Sequence, residues 1–143
     1  MARSSAVEGS GRTRRQWRFY RTASGQEPVR EFLWDRHLPD EDAAAIAAVM
    51  TEVRNAGRAH PDVNHLRGDI WQLEIRGRSA IYRLLFAEEG RYQQVLLALE
   101  VVNQKWQKAK GRHIELAEKR LADWRERGTR RTPSRSTTAP LPK

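Results

Sequence analysis

Between Asp69 and Val102 three apolar runs, IWQLEIR, AIYRLLF and VLLALEVV, follow one another with only short polar breaks. Gly77 and Gly90 stand in those breaks, where a glycine's backbone freedom admits a hairpin turn. The arrangement predicts three consecutive antiparallel strands forming a meander. The first run alternates Trp71, Leu73 and Ile75 with Gln72, Glu74 and Arg76, so one face packs and the other stays wet. The second and third runs are almost continuously apolar, as strands covered on both faces are. Arg83 and Glu100 interrupt them, and each needs a partner to be buried there.

The flanking segments predict helices. QWRFYRT suits a first strand ended by Ser24-Gly25, and Pro28 suits the first turn of a helix carrying Val29, Phe32 and Leu33 on one side. Asp40 is placed to cap a second helix, whose Ile46, Val49, Met50 and Val53 form one stripe and which Gly57 ends. Arg58 to Gly68 reads as a connecting loop. Ile114, Ala117, Leu121 and Trp124 recur at helical spacing in a last amphipathic helix. The expectation is an α+β fold with a twisted, mainly antiparallel sheet of about four strands, two helices in the N-terminal half and one at the C-terminal end.

A chain of 143 residues suits one domain. Its net charge of +9 is unevenly spread. Residues 1–15 hold four Arg against one Glu, and residues 128–143 hold three Arg and one Lys with no acid. Residues 16–102 carry 11 basic and 13 acidic side chains, whereas residues 103–127 carry eight and four. The positive charge of the body is therefore confined to one late segment. Both tails, 1–15 and 128–143, have too little apolar surface to offset ordering entropy and are expected to be disordered, which leaves a domain at 16–127. With no cysteine, a disulfide, a thiolate metal site and a Cys nucleophile are excluded, and the four histidines show no metal-ligand spacing. Neither a membrane span nor a secretory leader is legible, so a cytoplasmic protein is expected.

The order of WRFYR, GQEPVREFL, a helical pair, HLRGDIWQLEIRG, IYRLLF, a further strand and NQKWQKAKGRHIELAEKRLADW resembles the RelE/HigB superfamily of toxins from type II toxin–antitoxin systems. More narrowly, it resembles their phage-derived HigB-like branch. The resemblance covers residues 16–127 and implies a small RelE-like fold. It also implies ribosome-dependent cleavage of messenger RNA, with ribosome-bound mRNA as substrate and a cognate helix-turn-helix antitoxin from a neighbouring gene as partner. No cofactor and no metal are implied. Arg83 falls on the Tyr-Arg position of the central strand, and Lys105, Gln107 and Lys108 fall on the lysine-rich segment after the last strand.

Three positions depart from the pattern. Gln72-Leu73-Glu74 stands where many members read Glu-Leu-Arg, Gln104 reduces the usual lysine pair, and Val102 stands where an aromatic usually precedes that pair. A carboxylate at 74 repels RNA phosphate, although Arg76 returns positive charge to the same strand face. Equally, Glu74 is a candidate structural partner for Arg83.

Attack by RNA's own 2′-hydroxyl needs alignment, removal of a proton, stabilisation of charge on phosphorus and protonation of the leaving oxygen. Arg83, Lys105 and Lys108 are the candidate catalytic residues, with Arg83 fitted for two parallel hydrogen bonds to phosphate. Arg67, Arg76, Gln107, Lys110 and Arg112 are candidates for binding RNA, and Tyr82, Trp71 or Trp106 for stacking on a base. Each has a blander reading: Arg83 in an ion pair, the lysines on a solvated face, the aromatics in the core, and His65 and His113 as structural histidines. Three functions stay open: an RNA endonuclease toxin, a non-catalytic relative binding RNA, antitoxin or a phage partner, and an interaction protein acting through its basic tails.

Overall fold

The computed structural model describes residues 15–103 and 111–135. Strand β1 (Gln16–Phe19) leads to helix α1 (Pro28–Leu33) and helix α2 (Asp40–Ala56), followed by one 3-10 turn at Gly57–Ala59. Strands β2 (Val63–Arg67), β3 (Ile70–Arg76), β4 (Ile81–Glu89) and β5 (Val95–Asn103) come next, and helix α3 (Gly111–Arg135) closes the order. The α+β expectation holds, and among the described residues five strands form one sheet ordered β1-β5-β4-β3-β2. The meander β3-β4-β5 is antiparallel as the turns require, and β1 pairs with β5 in parallel.

Alternation along the strands divides the core into two layers. Leu73, Ile75, Tyr82, Leu84, Phe86, Leu96 and Ala98 pack with Val29, Ile46, Met50 and Val53 of α1 and α2. On the opposite face Ile70, Leu85, Ala87, Leu97 and Leu99 meet Ala117 and Leu121 of α3. A bulge alters this parity once. Leu85 pairs with Glu100 and Phe86 with Ala98, so Leu99 is the extra residue and both Leu99 and Glu100 face α3. The interruption at Glu100 is thereby resolved, because its carboxylate accepts from Arg120 at 3.4 Å and lies 3.0 Å from His113.

Three local expectations change. The segment read as a loop contains β2, an edge strand whose only buried residue is Val63; VNHLR carries too little apolar alternation to be read as a strand. The face of β3 expected to be wet is partly covered, with Gln72 buried and its Oε1 lacking a hydrogen-bond partner among the described residues. Asp40 does not cap α2: the helix begins at Asp40 with Pro39 before it, and no side chain bonds the exposed amides. The acidic side chains of the first turn instead complement the helix dipole.

Asp42 has a different task. Fully buried, it accepts from the amide of Arg78 at 2.7 Å, from that of Ser79 at 3.3 Å, from Ser79 Oγ at 2.5 Å and from Tyr82 Oη at 2.6 Å. These bonds, from Ser79 foremost and then Tyr82, lower its pKa to about 2. Burial, and then the Asp42 carboxylate, raises Tyr82 to about 12. The β3–β4 hairpin is thus clamped onto the start of α2. Gly77 is required by this clamp, since a Cβ there would stand 2.7 Å from the Asp42 carboxylate. Helix α3 runs past residue 127, the expected edge of the domain, to Arg135.

Candidate functional site

Register brings together one end of the sheet. Glu74 on β3 lies directly opposite Arg83 on β4, Arg83 opposite Val102 on β5, and Tyr82 opposite Asn103. Glu74, Arg76 and Arg83 all face the α3 side, because Leu73, Ile75 and Tyr82 between them point into the other core layer. The segment that follows Asn103 carries Lys105, Gln107, Lys108 and Lys110, which lie outside the described residues, as does Trp106. Its two flanks are set: it leaves the sheet beside Arg83 and enters α3 at Gly111.

Arg83 is 3% exposed and donates from Nη1 to Glu74 Oε1 at 2.8 Å. Glu74 Oε2 accepts from Arg76 Nη2 at 2.9 Å. Three charged groups thus run from inside to outside, and only the last is open: the Arg76 side chain is 76% exposed, that of Glu74 21%. Arg83 makes the ion pair that the sequence left as its alternative. The pair also changes the electrostatics, because two guanidiniums around one carboxylate leave a net positive charge where Glu74 alone would repel phosphate.

The remaining sequence candidates are dispersed. Arg67 sits at the Ile70 end of β3, four residues from Glu74, or about 13 Å along the strand. Its guanidinium is occupied by two bonds to Glu118, at 3.1 Å and 2.8 Å, and this pairing raises the pKa of Arg67 and lowers that of Glu118. Arg112 is exposed in the first turn of α3, next to His113. Tyr82 belongs to the core and the Asp42 clamp. Trp71 is partly buried, stacked on His65 at 4.6 Å with the Arg58 guanidinium 4.7 Å from its ring. His65 contacts the Gly68 carbonyl and His113 contacts Glu100, so both histidines have structural partners.

Sequence reading missed the cluster of Glu100, His113 and Arg120 beside Arg83. Arg120 also donates to the Leu99 carbonyl at 2.7 Å and packs over Tyr20. Its signal was present in the unexplained Glu100, yet the partner lies 20 residues away on another element. Among the described residues no group of His, Asp or Glu side chains is arranged to hold a metal ion.

A profile of the family described as "Phage derived protein Gp49-like (DUF891)" matches residues 34–122, more than half of the chain. The chain belongs to that phage-derived family. The Gp49-like family is related to HigB toxins. This Gp49-like chain is also similar to the Probable endoribonuclease HigB1 of Mycobacterium tuberculosis, recorded for strains CDC 1551 / Oshkosh and ATCC 25618 / H37Rv. Identity is 30% over 109 residues, which span 76% of this chain and 84% of that protein. The matched family region extends from the residues just before α2 into α3 and so contains Glu74, Arg76 and Arg83. No helix among the described residues is long and apolar enough to cross a membrane.

Proposed function

We propose that this protein is the toxin of a type II toxin–antitoxin pair, an endoribonuclease that cleaves messenger RNA on the ribosome and is restrained by a helix-turn-helix antitoxin. The observation that carries the reading is the 30% identity to the Probable endoribonuclease HigB1 across 84% of that protein's length. The charge arrangement supports it. Arg83 fixes Glu74, Glu74 fixes Arg76, and the exposed Arg76 guanidinium offers planar donors to a phosphate beside the point where the lysine segment leaves the sheet.

In this reading the 2′-hydroxyl gives its proton to water as its oxygen attacks phosphorus, the bond to the 5′-oxygen breaks, and a 2′,3′-cyclic phosphate forms. Arg76 and Lys105 stabilise the charge that develops on the phosphate oxygens, and Lys108 delivers a proton to the leaving oxygen. Arg83 acts as a positioning residue through Glu74. No metal is needed for this attack, since the nucleophile belongs to the substrate. Lys110 and Arg112 extend the positive surface along the RNA backbone, and Gln107 adds a neutral amide donor.

A second reading, a non-catalytic relative that binds RNA, an antitoxin or a phage partner, is favoured by one observation: Arg83 is buried against Glu74. Induced expression in a bacterium separates the two. Growth arrest with new mRNA 5′ ends, both lost in Arg83→Ala, is the expected outcome; normal growth at verified soluble expression would sink the endonuclease.

A further inference from the structure

We infer that the outer edge of β1 is a docking strand for an acidic, extended peptide segment of a partner protein. The edge is open at the level of the backbone. Gln16 N–H donates to the Gln94 carbonyl at 2.8 Å and Tyr20 N–H to that of Ala98 at 3.0 Å, so residues of this parity face β5. In a parallel ladder the alternate residues point the other way, and Trp17 and Phe19 therefore present N–H and C=O groups outward. Among the described residues nothing bonds to these groups. An edge strand left so is a template for a further strand.

A cleft of about 500 Å³ follows this edge, and residues from both faces of the sheet line it. Trp17 and Phe19 come from the layer packed on α1 and α2, whereas Arg18 and Trp124 come from the α3 side. Arg21, Arg30 and Arg127 complete the wall with Glu27; Arg127 is engaged by Asp123 at 2.7 Å and Arg30 lies 3.8 Å from Glu27, so the cleft keeps an excess of positive charge chiefly through Arg18 and Arg21. The Arg18 guanidinium lies 5.9 Å from the Trp124 ring centre, and that of Arg30 lies 6.0 Å from Phe19 and 5.3 Å from Trp34. Stacking of this kind holds a guanidinium in place without consuming its N–H donors, which stay available to carboxylates. Beside them Trp34, 67% exposed, offers an apolar anchor.

Backbone groups in strand register, flanked by cations and aromatic rings, match a peptide that adds one strand and directs acidic side chains into the cleft. The chain's own first residues are a poor occupant: residues 1–15 carry four Arg and one Glu, and like charge would meet like. A single-stranded RNA could stack on the tryptophans, but it lacks the alternating amide donors and acceptors that the edge demands.

The test uses the full-length chain and a short fluorescein-labelled peptide of alternating glutamate and valine. Two controls are its lysine–valine counterpart and the same acidic peptide with alternate amides N-methylated. The acidic peptide should bind at least about tenfold more tightly than either control. It should also slow hydrogen exchange at the Trp17 and Phe19 amides, and the double charge reversal Arg18→Glu/Arg30→Glu should abolish its binding. Equal binding of the N-methylated peptide overturns the proposal with the wild-type protein alone, as does unchanged exchange at Trp17 and Phe19. Preference of the cleft for a single-stranded oligoribonucleotide over the acidic peptide overturns it too. Since no cleavage is measured, the outcome does not depend on the endonuclease reading.

Discussion

Removing either partner of the Glu74–Arg83 pair should have unequal effects. Arg83 is almost wholly buried, while Glu74 keeps a wet edge and a second partner in Arg76. Glu74→Ala removes the carboxylate that Arg83 bonds at 2.8 Å, and breaking a buried pair in this way costs about 3–5 kcal/mol. Partial exposure of Glu74 lets water approach the guanidinium, which places the expected loss near the lower limit, about 3 kcal/mol. Arg83→Met removes the buried charge, fills similar volume, and leaves Glu74 with Arg76 and solvent; about 1 kcal/mol is expected. The double variant then resembles Arg83→Met, so the two substitutions couple by about 3 kcal/mol rather than adding. Urea unfolding of the four proteins, extrapolated linearly to water, measures all three quantities. Arg83→Met destabilising as much as Glu74→Ala, or additive losses in the double variant, would refute the reasoning.

Two further outcomes concern the clamp at the start of α2. Asp42 has a folded pKa near 2, below its unfolded value of about 3.9, so the stability it contributes is present above pH 4 and is lost as pH falls toward 2. Asp42→Asn should therefore flatten the pH dependence of unfolding between about pH 4 and 2, measured against wild type; identical slopes would show that the clamp is not formed. Gly77→Ala should lower the thermal midpoint by several degrees, about the effect of a strained core substitution, because its Cβ meets the Asp42 carboxylate. An unchanged midpoint would mean that the hairpin sits farther from α2.

Helices and the meander were legible because each follows its own period: Ile46, Met50 and Val53 occupy the buried stripe of α2, and IYRLLF and VLLALEVV became strands covered on both faces. β2 was not, since an edge strand with one buried residue has no alternation to reveal it. The parallel pairing of β1 with β5 was hidden as well, being a long-range choice made by two layers of packing. At the site, Arg83 and Glu74 could be singled out as unusual residues in apolar strands. Their contact could be named only as an alternative, because register decides whether position 74 opposes position 83. Asp42 was not singled out, since nothing local distinguishes it from Asp40; only the hairpin that folds over it does.

The chemistry of the cleaved ends tests the central claim most directly. Purified protein is incubated with programmed ribosomes and a defined mRNA in excess EDTA, and the product termini are determined by end-specific ligation and mass spectrometry. The expected result is cleavage that requires the ribosome, leaves 2′,3′-cyclic phosphate and 5′-hydroxyl ends, and fails in Arg76→Ala and Lys105→Ala. Products with 3′-hydroxyl and 5′-phosphate ends, formed only when divalent metal is restored, would contradict attack by the 2′-hydroxyl at this site.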